Sequence, residues 1–170
     1  RWTLPAFSVM YKTEIEAKLK SQNYVDPGMI KAAFNFWYSD NDHIRSPFPE
    51  YIREQLQKDA TDKLLAWCSK ISDKAKKDIS DEILVEKFEE IVFECALNMV
   101  LTEDEKLTIR YPFLLRIGDT IKVKNIAEDK AASMVIDRWY EKKGDNAFMK
   151  VKLRNIASGE KWETEFELPE

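Results

Sequence analysis

His43 is the single histidine of the chain, and it follows Asp40-Asn41-Asp42 in a stretch rich in turn formers. Nucleophile–histidine–acid catalysis needs a positioned imidazole, and a zinc centre needs several His or Cys ligands. Cys68 and Cys95 are the only thiols, and each sits among apolar residues of an expected helix, so either meets His43 only through long-range folding. Asp40-Asn41-Asp42 clusters hard oxygens as a calcium loop does, but the glycine at the sixth position and the glutamate at the twelfth are missing. Asp40 and His43 also have the spacing of half a carboxylate–histidine di-metal motif, which needs a second such pair. Glu89-Glu90 is a carboxylate pair without an apolar pocket to separate its two pKa values, and reads as a solvated helix face. The expectation is no catalytic residue, no metal and no cofactor, with buried, reduced thiols.

Basic and aromatic residues are the better candidates. Trp139 and Tyr140 precede the Lys142-Lys143 tip, and Lys150, Lys152 and Arg154 form a stripe at every second position. Rings beside cations suit base stacking and phosphate contact, and equally a groove for a peptide. Trp139, Tyr140, Lys142 and Lys143 are therefore the candidate binding residues.

The elements that must position them are strands. Met149, Val151 and Leu153 alternate with Lys150, Lys152 and Arg154, and Trp162, Thr164, Phe166 and Leu168 alternate with Lys161, Glu163, Glu165 and Glu167. Period-two alternation on both sides of Ala157-Ser158-Gly159 predicts a hairpin with one apolar and one charged face. Keeping the two apolar rows on one face requires an even loop or a compensating bulge; a four-residue loop, Ile156 to Gly159, satisfies this and opposes Lys152 to Glu163, Lys150 to Glu165 and Arg154 to Lys161. Further short strands are expected at 107–111, at 113–117, around Ile121 and Val123, and from Ala132 to Glu141, punctuated by Pro112 and Gly118-Asp119.

The first hundred residues carry helical periodicity instead. Helices are expected from Ser8 to about Lys20, from an Asp26-Pro27 start to about Tyr38, over Glu50 to Ile71, and from Ser80 or Asp81 to about Leu101. The segment 39–49 reads as a loop, 72–79 as a solvated connection and 102–106 as a link. The last expected helix is apolar nearly all round from Ile91 to Leu101, which marks it as central.

At 170 residues, 44% hydrophobic and 34% charged, the chain is a folded, globular composition. Its net charge of −4 divides into −6 over residues 1–105 and +2 over 106–170. Neither part has the field of a dedicated duplex-DNA binder. No apolar run is long enough to span a membrane. Buried, reduced thiols suit a reducing, cytoplasmic compartment, although the chain opens on Arg1 and a leader upstream is compatible with that start.

The order of a Gly-Asp turn, an alternating strand, a long strand, a Gly-containing tip and a final hairpin resembles an SH3-like barrel of the KOW or Tudor kind. Ala147-Phe148, Lys152-Leu153-Arg154-Asn155, Gly159 and Phe166 are similar to the amino-terminal KOW-like domain of elongation factor P, over some 20 to 25 residues. That family carries a functional lysine at the preceding loop tip, and here the corresponding position is Gly144, with Lys143 beside it. The resemblance implies a barrel, and the long N-terminal helices lie outside it.

The expected organisation is thus α+β: a helical domain over 1–106 of about four helices, then an SH3-like β-barrel domain over 107–170. The expected function is a non-enzymatic interaction protein that binds a protein or peptide through the barrel. The alternatives are an RNA- or ribosome-associated factor and an enzyme of unrecognised type.

Overall fold

A computed structural model describes residue 17 and residues 25–42, 44–122 and 132–169. The helix expected from Ser8 to Lys20 (apart from position 17), His43 and Val123 lie outside the described residues. The chain divides into two compact units, residues 1–100 and 101–170, and the architecture is α+β.

In the first unit, α1 spans Pro27–Trp37, α2 Glu50–Lys70, α3 Asp73–Asp78 and α4 Asp81–Met99. Asp26 caps α1 by accepting from the Gly28 amide at 2.8 Å, while Pro27 occupies the first turn, where its missing N–H costs nothing. The α2 stripe Ile52, Leu56, Ala60 and Leu64 is buried as its four-residue spacing requires, and α2 packs against α4. Edge-to-face rings extend this core: Phe34 on Phe88 at 5.3 Å, Trp37 on Phe93 at 4.9 Å and Phe48 on Phe93 at 5.1 Å. Ser80 caps α4, and Ile91, Val92, Cys95, Ala96 and Val100 are buried at its C-terminal end, whereas Leu101 is exposed. The connection at 72–79 is not wholly irregular, because Ser72 accepts from the Ala75 amide and nucleates the short helix α3.

The second unit opens with α5, Glu103–Arg110, which replaces both the link expected at 102–106 and the strand expected at 107–111. Thr102 accepts from the Glu105 amide at 3.1 Å and its hydroxyl donates to the Glu105 carboxylate at 2.8 Å. This side-chain capping outweighs the brief Leu107-Thr108-Ile109 alternation. Residues 113–117 are turns rather than a strand. The Asp119 carboxylate accepts from the Arg116 amide and Gly118 takes a positive φ of 91°. Adjacent Leu114 and Leu115, not alternate residues, turn toward the core.

The sheet that follows is antiparallel, in the order β1-β2-β3-β4, with β1 at Thr120–Ile121, β2 at Ser133–Lys143, β3 at Asn146–Asn155 and β4 at Lys161–Glu167. It curls as half a barrel. Val135, Met149, Val151 and Leu153 are buried on its inner face with Leu107 of α5 and Leu168. The final hairpin has the register its parity demands: Arg154 opposes Lys161, Lys152 opposes Glu163 and Lys150 opposes Glu165. Among the described residues no helix is long and apolar enough to cross a membrane.

Candidate functional site

The pleat separates the two candidate rings. Tyr140 opposes Met149, which opposes Phe166, so Tyr140 lies on the inner face. Trp139 opposes Lys150 and lies on the outer face. They do not form one groove. Lys142 is exposed and opposes Ala147, on the side of Tyr140. Lys143 is on the side of Trp139, 5.1 Å from the Phe148 ring centroid.

Acid neutralises Lys143 of the tip and Lys150 of the stripe. Glu165 Oε2 accepts from Lys143 Nζ at 2.7 Å and from Lys150 Nζ at 2.9 Å, and Glu141 Oε2 lies 3.6 Å from Lys150 Nζ. The hydrogen bond from Lys143, then that from Lys150, holds the Glu165 carboxyl below the usual carboxylate range. The hydrogen bond to Glu165 raises the Lys150 ammonium above its ordinary value. By strand register, five acids (Asp137, Glu141, Glu163, Glu165, Glu167) share the outer face with five bases (Lys143, Lys150, Lys152, Arg154, Lys161). Such a face presents no net attraction to a polyanion.

The inner face ends in an apolar patch. Tyr140 is 48% exposed and Phe166 38%, one on each side of Met149, which is fully buried. Farther along the same face the sheet closes over a residue not singled out in the sequence, Arg138, whose side chain is 0% exposed. Its Nε donates to Asp104 Oδ1 at 2.6 Å, Nη1 to the Leu115 carbonyl at 2.6 Å, and Nη2 to the Asp104 carbonyl at 3.0 Å and to the Thr108 hydroxyl. Arg138 thus ties β2 to α5 and to the turn at 112–118. It faces inward because register shifts between Val135 and Asp137, leaving Ile136 as an extra residue. The unbroken apolar run Met134-Val135-Ile136, where a half-buried strand would alternate, is the sequence signal for that bulge.

The chemistry sought in the first unit resolves into structure. Asp40 Oδ1 accepts from the Ser46 amide at 3.0 Å, and Asn41 and Ile44 exchange backbone bonds, so these residues build a turn. Among the described residues no group of three His, Cys, Asp or Glu is placed to hold a metal ion. Cys68 and Cys95 are buried and outside any disulfide. Cys95 adjoins an open hollow lined by Asp59, Asp62, Lys63, Asn98 and Met99. Burial raises its thiol pKa despite the opposing Lys63 ammonium, the reverse of an activated nucleophile. Comparison with protein-family models, with curated proteins and with solved structures returned no match to this chain.

Proposed function

We propose that this chain is a non-enzymatic interaction protein whose curled sheet binds a protein or peptide segment. The observation that carries the reading is the Tyr140–Met149–Phe166 row: two large rings, half open to solvent, held across three strands on the face that buries Val135, Val151 and Leu153. Rigid aromatic side chains supply contact area at low entropic cost, and exposed apolar area next to polar groups such as Lys142 is a common feature of protein-binding surfaces. The sheet order and its half-barrel curl support the SH3-like reading of 107–170. Buried thiols outside any disulfide support a reducing cytoplasmic setting. The charge-balanced outer face gives the RNA reading no comparable support.

Affinity capture with the intact chain, with and without nuclease, tests this proposal. Partners should survive nuclease treatment and be lost when Tyr140→Ser and Phe166→Ser are combined. Loss of every partner on nuclease treatment, or retention of the same partners by the double variant, overturns it.

A further inference from the structure

Among the described residues, β4 pairs with β3 alone, and its other edge is unpaired. The hydrogen bonds at the two ends of the hairpin, Asn155 N–H to the Glu160 carbonyl and Leu168 N–H to the Ala147 carbonyl, set the phase of the ladder. With that phase, Trp162, Thr164 and Phe166 spend their backbone groups on β3. Lys161, Glu163, Glu165 and Glu167 aim theirs outward. Glu163, Glu165 and Glu167 are exposed, and neither Glu163 nor Glu167 has an ion-pair partner among the described residues.

This edge discriminates by charge. Antiparallel pairing with β4 of a second copy sets Glu163 against Glu165 when centred on Thr164. Centred on Glu165, it sets acid against acid at three successive outer positions. Like charges directly opposed destabilise a sheet, so the acidic row opposes self-association. The strand β4 already holds on its other side, β3, alternates apolar Met149, Val151 and Leu153 with basic Lys150, Lys152 and Arg154. An incoming strand of the same pattern would place Lys or Arg opposite Glu163 and Glu167 and apolar residues beside Trp162, Thr164 and Phe166. We infer that the free edge of β4 is a strand-addition site for an extended peptide alternating basic and apolar residues. The inference rests on the peptide-binding reading above and names the edge and the ligand chemistry.

Isotope-labelled full chain is titrated with a seven-residue peptide alternating lysine and valine and ending in glutamate, the last opposite Lys161. The expected result is saturable shifts of the Lys161, Glu163, Glu165 and Glu167 amides. Glu163→Pro removes an outward N–H without touching the β3 ladder, and should weaken binding about three- to tenfold. In case that variant unfolds, Glu163→Lys with Glu167→Lys keeps every backbone bond and should exchange preference toward an aspartate–valine peptide. Equal binding of both peptides to the wild type overturns the inference. So does slow exchange of the Glu163 and Glu165 amides in the free chain, which would mean that its own residues cover the edge. Binding unaffected by Glu163→Pro but lost in the Tyr140→Ser, Phe166→Ser variant refutes the edge and keeps the interaction reading. Binding of neither peptide, together with partner capture unchanged in that double variant, removes both.

Discussion

Arg138 Nε lies 2.6 Å from Asp104 Oδ1, a charge-assisted bond that joins a fully buried guanidinium on β2 to the first turn of α5. Asp104 also lends its backbone carbonyl to Nη2, so one residue receives two prongs of the planar fork. Lysine cannot reproduce this geometry.

Removing the cation should therefore be costly. Arg138→Ala leaves the Leu115 carbonyl and the Asp104 groups without their buried donor and is expected to destabilise the second unit by about 3–5 kcal/mol. Asp104→Asn keeps an acceptor at a side chain that is 39% exposed, and its cost should be nearer about 1 kcal/mol. Urea denaturation followed by the fluorescence of Trp139 and Trp162 measures both. Equal costs would mean that the fork is not the source of the stability.

How much of this was legible depended on the length of each pattern. The β3–β4 hairpin has two apolar rows of three or more residues, so parity together with a four-residue loop at 156–159 set its register down to Lys150 opposite Glu165. Leu107 to Tyr111 offered too short a window, in which helix and strand place apolar residues alike, and the capping spacing of Thr102 and Glu105 was the better guide. At β2 the obstacle was the extra residue, Ile136: a single bulge reverses which side chains face inward and hid Arg138 from any period-two count. The candidate pair Trp139 and Tyr140, adjacent in sequence, was bound to be divided by the pleat once 133–143 became strand.

Thr102 should repay testing for the same reason. Its hydroxyl both accepts from the Glu105 amide and donates to the Glu105 carboxylate, so Thr102→Ala removes the entire side-chain half of the cap. A loss of about 0.5–2 kcal/mol is expected, with Thr102→Ser close to wild type. Thermal melts of the three proteins provide the comparison. An unchanged Thr102→Ala midpoint would show that packing of Leu107 alone sustains α5.

The thiols offer a probe of the first unit. Cys68 and Cys95 are buried, and burial holds the Cys95 thiol above its ordinary pKa, so little thiolate exists at neutral pH. Labelling by a bulky disulfide reagent should be slow in the native state and rise to the rate of a free thiol in denaturant. Rapid native labelling of either residue would contradict the α2–α4 packing.

The last prediction concerns Glu165, which both Lys143 and Lys150 engage. Because its folded-state pKa is depressed, its contribution is present above the unfolded carboxylate value of about 4.3 and is lost as pH falls through the folded value. Lys150 has a raised pKa, so its contribution is present below the unfolded value of about 10.4 and is lost as pH rises through the folded one. Glu165→Gln should therefore differ most from wild type on the plateau between about pH 5 and 10 and converge with it in acid. All three side chains are partly or well exposed, so the difference should be small and salt-sensitive. The same substitution should sharpen a functional contrast. With Lys143 and Lys150 released from their shared acid, single-stranded RNA should bind more tightly than to wild type, and the log–log salt slope should steepen by up to about 1.4 for two released cations. Fluorescence anisotropy at several salt concentrations reads both quantities. If wild type already binds tightly and steeply with salt, and Glu165→Gln changes nothing, the outer face is not neutralised by its own partner strand, and the case against a nucleic-acid role fails with it.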